Sequence, residues 1–144
     1  MTLIKEITAE ETYQIRLKVL RKDIDLPYQF QGDLDAETIH IGAFLADNLM
    51  GVSSFMKSNH VLFADETQYQ LRGMATLPEA RGRGYGKGLI DFSVACLQRK
   101  KATILWCKAR EVAVSFYKKR GFSIVGEPFL APQIGVHYIM CKKI

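Results

Sequence analysis

LRGMATLPEARGRGYGKGL, Leu71 to Leu89, is the stretch whose reading decides the fold. Leu71, Gly73 and Ala75 alternate with Arg72, Met74 and Thr76, a period of two that predicts a strand over Tyr69 to Leu77. Pro78 ends it, because proline has no N–H to give to a ladder. Gly82, Gly84, Gly86 and Gly88 then fall at every second position. Tyr85, Leu89, Phe92 and Cys96 recur at helical spacing, which predicts a helix over Gly84 to Lys100. Glycine-rich main chain at a helix N-terminus turns unpaired amides toward one point, and the helix dipole favours an anion there. The stretch therefore reads as strand, phosphate-binding turn and helix.

Two well-known phosphate motifs fail on residues that their mechanisms need. A dinucleotide fingerprint from Gly82 and Gly84 wants its third glycine at Lys87. A Walker A loop ending at Gly86-Lys87 wants glycine at Arg81 and a hydroxyl at Gly88. What fits is R-G-x-G-x-G after a strand, Arg81 to Gly86. That form resembles the pyrophosphate loop of the GCN5-related N-acetyltransferases (GNAT), which bind acetyl-CoA. Five further segments, TAEETYQIRLKVLR, YQLRGMATL, ILWCKAR, FYKKRGF and IGVHYIMCKK, look like the subgroup typified by glyphosate N-acetyltransferase. The likeness runs in register over nearly the whole chain. It implies a single N-acetyltransferase domain over 1–144.

Composition agrees without choosing. A chain of 144 residues has the length of one domain, and 48% hydrophobic with 24% charged residues suits a soluble globular protein. No apolar run nears the roughly 18–20 residues of a membrane span, so no membrane partner is expected. MTLIKEITAEE lacks the pattern of a signal peptide. Cys96, Cys107 and Cys141 lie far apart in apolar segments, which fits buried free thiols in a reducing compartment, hence a cytoplasmic protein with no metal. The net charge of +5 fits nucleic acid or a small polyanion such as coenzyme A. Monomer and homodimer both stay open.

Along the chain, Leu3 to Ile7 reads as a strand, and Thr8 with Glu11 forms a capping box. The helix that follows is expected to bury Tyr13, Leu17, Leu20 and Ile24, with Ile15 and Val19 beside them. Asp25 to Asp35 reads as a polar loop that Tyr28 and Phe30 pin to the core. Ile39 to Ala46 and Leu49 to Lys57 form a hairpin, and Ser58 to Gln68 a connection. Ala102 to Cys107 is a nearly all-apolar run that suits a parallel, doubly covered strand. Glu111 to Arg120 is a short helix ended by Gly121 in a left-handed cap. Phe122 to Gly126 and Val136 to Lys142 close the chain as strands, with a loop bounded by Pro128 and Pro132 between them. The order βαβββαβαββ predicts an α/β (α+β) fold: a mixed, mostly antiparallel twisted sheet flanked by helices. The resemblance implies the same order.

Acetyl transfer to an amine must hold a thioester, deprotonate the amine, stabilise an oxyanion and protonate a thiolate. Amides of Arg81, Gly82, Arg83, Gly84, Tyr85 and Gly86 would cradle the pyrophosphate, with Arg81, Arg83 and Lys87 adding charge. The resemblance implies that the pantetheine arm pairs with the backbone of Met74 and Thr76. That requires the neighbouring strand to splay away, and the N–H of Ala75 or Met74 could then face the thioester oxygen. It also implies that Tyr117 protonates the leaving thiolate, that His137 is the general base, and that Arg21, Arg72 and Arg110 line the substrate pocket. A phenol of pKa near 10 suits a thiolate, and a free imidazole of pKa about 6.5 can accept a proton at neutral pH. Guanidinium forks match carboxylate or phosphonate bidentately. Where many family members carry Asn touching the coenzyme, this chain has Glu111, and Ser115 is the weaker substitute. His40 and His60 read as structural or solvated.

The expectation is an acetyl-CoA-dependent N-acetyltransferase acting on a small anionic amine by direct transfer in a ternary complex. Alternatives are the same fold acting on an aminoglycoside, polyamine or protein amine, a non-catalytic acyl-CoA binder, or a nucleic-acid binder. Alternating glycines between a strand and a helix disfavour a basic nucleic-acid arm. A basic pocket disfavours cationic acceptors.

Overall fold

The computed structural model describes residues 2–65 and 67–144. Strand β1 (Thr2–Ile7) leads to helix α1 (Ala9–Ile15), which the Thr8 and Glu11 capping box starts as expected. The helix runs on into a π-helical turn, Arg16–Leu20. Strands β2 (Ile39–Leu45), β3 (Asn48–Lys57) and β4 (Gln68–Thr76) follow, then a 3₁₀ turn and helix α2 (Tyr85–Arg99). Strand β5 (Ile104–Arg110), helix α3 (Val114–Lys119), and strands β6 (Ser123–Ala131) and β7 (Gly135–Lys143) complete the chain. The sheet order is β1-β2-β3-β4-β5-β7-β6, and only β4 and β5 run parallel. This is the expected mixed, mostly antiparallel sheet.

Two layers of helix cover it. Leu89, Ile90 and Leu97 of α2, with Tyr117 of α3, bury one face against Ile41, Phe55, Leu71, Leu105 and Met140. On the other face Ile15, Val19 and Leu20 pack over Val52 and Ala75. Burial of such side chains stabilises by roughly 1.5–3 kcal/mol each.

The expected splay is present. β4 and β5 pair only over Gln68–Leu71 against Ile104–Cys107, although β4 continues to Thr76 and β5 to Arg110. A bulge opens β4 at the same place. Arg72 pairs with Ser54 and Ala75 with Val52, so Gly73 and Met74 together face Ser53. Gly73 takes φ +64°, the glycine-favouring conformation of such bulges. A Cβ there would stand 2.9 Å from the Phe30 ring and 3.2 Å from Arg16 Nε.

Four expectations need correction. The first helix does not bury Leu17, which is 52% exposed, whereas Arg16 is 0% exposed. The π turn inserts a residue into the helical phase and swings Arg16 inward. β5 begins at Ile104 rather than Ala102 and reaches Arg110, beyond the expected end at Cys107. Segment 128–132 is not simply a loop. β6 continues through Pro128 to Ala131, with a register shift between Val125 and Phe129. A proline survives there because β6 is an edge strand and the bulge excuses its missing N–H. Phe30 does more than pin a loop, as the site shows. Of the connection expected from Ser58 to Gln68, Glu66 lies outside the described residues.

Candidate active site

The parting of β4 from β5 opens a cleft of about 1390 Å³. At one end stands the turn before α2. Gly82 and Gly84 adopt φ +77° and +83°, and a Cβ on either would meet nothing within 4 Å. They are there for conformation. Gly86 and Gly88 lie against side chains: a Cβ on Gly86 would come within 2.9 Å of the Phe116 ring, and one on Gly88 within 2.5 Å of the movable tip of Ile4, Cδ1. Gly84 caps α2 with no side-chain bond, and the first helical amide to find its partner is that of Gly88, bonded to the Gly84 carbonyl at 3.0 Å. The amides of Tyr85, Gly86 and Lys87 therefore stand unpaired within the helix, the positive end of its dipole.

The other end is built from side chains. The Phe30 ring lies 3.9 Å from the Arg16 guanidinium, 4.5 Å from that of Arg72 and 5.5 Å from that of Arg21. Arg16 is the anchor. Its two Nη atoms donate to both oxygens of Asp33 at 2.7 and 2.9 Å, to Ser54 Oγ at 2.8 Å and to the Tyr28 carbonyl at 2.9 Å. His40 Nδ1 accepts from Ser54 at 2.6 Å while Nε2 donates to the Asp33 carbonyl at 2.8 Å, a tautomer set by these partners. Burial would raise the Asp33 carboxyl, but hydrogen bonds from Arg16 and the Phe30 amide, with the charge of Arg16, hold it below the usual carboxylate range.

The three predicted substrate arginines line this end of the cleft. Arg21 donates to the Pro27 carbonyl at 2.8 Å and to the Leu20 carbonyl at 3.2 Å, and Arg110 reaches that same carbonyl at 3.4 Å. None of the three ion pairs among the described residues involves Arg21, Arg72 or Arg110. Carbonyls position the Arg21 and Arg110 guanidiniums without neutralising them, and Arg72 lies over the Phe30 ring. Burial lowers the pKa of all three; Arg21 is lowered further by the charges of Arg110, Arg72 and Arg16, and Arg72 by that of Arg16 against the opposing pull of Asp33. This is a cluster of like charges.

His137 and Tyr117 line the cleft between the two ends. His137 is opposite Arg110 on β5 and Phe129 on β6 in register. Its Nδ1 lies 2.9 Å from the Gly135 carbonyl, so Nδ1 carries a hydrogen, and in the neutral ring the lone pair is on Nε2. Tyr117 is buried, its ring packed edge-on to Phe116 and Phe122 at 5.2 Å. Burial, then the Cys107 thiol, push its phenol up, with Arg110 opposing. The hydroxyl thus holds its proton more firmly than a free phenol. Burial likewise pushes the Cys107 thiol up, so it is no nucleophile at neutral pH.

Of the predicted donor-binding residues, Met74, Ala75, Thr76, Arg81, Gly82, Gly84, Tyr85 and Gly86 line the cleft. Arg83 and Ser115 are exposed and do not. Glu111 does not either; it accepts a hydrogen bond from the Tyr138 hydroxyl at 3.3 Å. Sequence reasoning passed over Phe30, Lys108, Lys119, Arg120 and Phe129, all of which line it. The signal for the two α3 cations was present: Phe116, Lys119 and Arg120 are spaced three and four apart.

A strand parted from its parallel neighbour, beside an uncapped glycine turn, invites comparison with known proteins. The model of the acetyltransferase (GNAT) family matches residues 4–122. The chain belongs to that family. It is a GNAT N-acetyltransferase, and GNAT enzymes use acetyl-CoA. An uncharacterized N-acetyltransferase, YitI of Bacillus subtilis, is 33% identical over 145 residues, all of this chain and 97% of its own. Among solved structures, Escherichia coli ElaA superposes with a TM-score of 0.79 at 20% identity, covering 99% of both chains. An aminoglycoside 6′-N-acetyltransferase complexed with coenzyme A gives 0.78 at 13%, covering 98% of this chain and 96% of that one. These two share the GNAT fold with this enzyme. Among the described residues, no helix is long and apolar enough to cross a membrane.

Proposed function

We propose that this enzyme acetylates the amine of a small acidic, amino-acid-like substrate bearing carboxylate or phosphonate, by direct transfer from acetyl-CoA within a ternary complex. One observation carries the reading. Among the described lining residues are eight cationic side chains, Arg21, Arg72, Arg81, Lys87, Lys108, Arg110, Lys119 and Arg120, and no carboxylate. A cationic acceptor such as an aminoglycoside or polyamine would meet repulsion at every wall. Segments that resemble the glyphosate N-acetyltransferase subgroup support the same assignment.

The turn before α2 fits the coenzyme's diphosphate: its amides are unpaired within the helix, and open space faces Gly82 and Gly84. Bound acetyl-CoA would supply an activated thioester. Met74 and Thr76 present their free backbone edge to the pantetheine arm, and the bulge at Gly73 leaves an amide to face the thioester oxygen. Arg72, Arg110 and Arg21 seat the substrate's anionic groups. Their field disfavours an ammonium, so the amine gives up its proton more readily. His137 Nε2 takes that proton as the nitrogen forms the new C–N bond. The Tyr117 hydroxyl donates to the sulfur as the C–S bond breaks; raised as it is, this phenol works first as a hydrogen-bond donor.

The test is thiol release from acetyl-CoA across acidic amino acids, phosphono amino acids, aminoglycosides and polyamines. Turnover confined to the first two classes is expected. Turnover confined to the polycations would overturn the substrate assignment and leave the family intact.

A further inference from the structure

Strand β5 carries a cation that the three substrate arginines leave unexplained. Side chains alternate along a strand, so Ile104, Trp106, Lys108 and Arg110 share one face. The first two are buried in an apolar cluster with Ile139. Arg110 stands opposite His137 in register. Lys108 comes between them; it is exposed, and it lines the cleft. Leu105, Cys107 and Ala109 face the other way, into the core that α2 covers. Lys108 therefore projects away from the α2 layer, on the side of the sheet that carries Arg110 and His137.

Its place is set by the parting of the strands. Gln70 pairs with Trp106 and Leu71 with Cys107, and the ladder stops there. Lys108 is the first β5 residue beyond the fork, and the same register carried one step on would set Arg72 opposite it. The two cations thus flank the opening from its two sides. Arg72 belongs to a group, its guanidinium sharing the Phe30 ring with that of Arg21 at 4.5 and 5.5 Å. Arg110 in turn shares the Leu20 carbonyl with Arg21. Lys108 stands apart from that group, roughly 6–7 Å along β5 from Arg110. Its ammonium enters no ion pair among the described residues, and no carboxylate is among the described residues that line the cleft.

A guanidinium fork seats one carboxylate through two parallel bonds. Arg21 and Arg72, gathered on one ring, make one such seat. A lysine ammonium is a compact point charge with three donors, which suits a second anionic group held with less demand on its orientation. Two seats set apart in this way fit an amine that carries two acids a few bonds from one another.

We infer that Lys108 is a specificity-determining residue of the acceptor site, taking the second anionic group of a diacid amine whose first is seated by Arg72 and Arg21. This rests on the acidic-acceptor reading above. The thiol-release assay tests it with aspartate, glutamate and their phosphonate analogues against asparagine and glutamine, which keep the shape and lose the second charge. The unmodified enzyme turns over the diacids with kcat/KM at least tenfold above the amides. Lys108→Met removes most of that preference through KM for the diacids, the size of one charge-assisted hydrogen bond. The amides' KM and, by calorimetry, coenzyme A affinity stay within twofold. Lys108→Arg restores the preference. An unchanged preference in Lys108→Met, or KM raised alike for diacids and amides, would overturn the role of Lys108 and spare the acidic-acceptor reading. So would kcat/KM for the amides equal to or above that for the diacids in the unmodified enzyme. Turnover of neither diacids nor amides would overturn both.

Discussion

At the α2 end of the cleft the polar surface is largely main chain; at the Phe30 end it is guanidinium. The first needs only the φ values of Gly82 and Gly84 and a helix start without a side-chain cap. The second needs a buried scaffold. Phe30 packs against Arg16 and Arg72, and Arg16 is held by Asp33, Ser54 and the Tyr28 carbonyl, residues drawn from the loop after α1's extension and from β3. A surface made of amides tolerates change in side chains but not in conformation. A surface made of long cations depends on whatever keeps them from swinging into solvent.

That contrast can be broken most forcefully at its buried anchor. Asp33→Asn leaves the Arg16 charge 0% exposed and unpaired, and should destabilise the fold by about 3–5 kcal/mol in denaturant melts. Asp33 also predicts acid sensitivity. Its folded pKa is depressed, so its contribution is fully present above the unfolded value of about 3.9 and disappears as pH falls through the lower folded value. Melts of the unmodified protein below pH 4 should steepen in their pH dependence relative to Asp33→Asn. A loss that sets in near pH 6 instead would point to another group.

Next in size is His137→Ala. Turnover should fall by about 10²–10⁴-fold in the thiol-release assay while coenzyme affinity holds. Equal losses in both would remove the general-base role. Arg72→Gln should lower kcat/KM for an acidic acceptor by roughly 10–100-fold, the range of a lost charged hydrogen bond, and again spare the coenzyme.

Changes at the amide end should do the reverse. Gly84→Ala forces alanine into the left-handed region at about 1–2 kcal/mol, so coenzyme affinity should drop roughly tenfold with acceptor KM unmoved. Gly88→Ala is the control. Its Cβ meets only the tip of Ile4, which can rotate away, so coenzyme affinity and melting temperature should barely change. Smallest is Phe30→Ala. Losing the guanidinium stack should raise acceptor KM severalfold, within the roughly 0.5–2 kcal/mol of cation–π contacts. If it weakened the coenzyme equally, the two ends would not be separable.

Much of this was legible in the residues themselves. The capping box at Thr8, the strand–glycine–helix signature and the Gly121 cap are local devices, written within a few positions of each other. The Gly121 cap is present in full, the amides of Gly121 and Phe122 bonding the carbonyls of Lys118 and Tyr117 at 3.1 and 3.0 Å. Arg21, Arg72, Arg110, Tyr117 and His137 do gather at one cleft. What periodicity misled was Leu17 and Arg16, because a π turn shifts the helical phase by one residue and nothing local announces it. Four alternating glycines looked like one motif, yet two serve conformation, one is held close to the Phe116 ring and one faces only the movable tip of Ile4. That division depends on neighbours distant in the chain.

Residue order alone therefore determined the elements, their succession and the glycine-rich start of α2, because each follows from backbone sterics and hydrogen bonding over a few residues. Only tertiary structure decided that Arg16 is an anchor, that Phe30 is a platform for three arginines, and that Lys119 and Arg120 border the cleft. Those outcomes rest on desolvation and pairing between residues well apart in the chain, 17 positions for Arg16 and Asp33, and such pairings leave no periodic trace in a single chain.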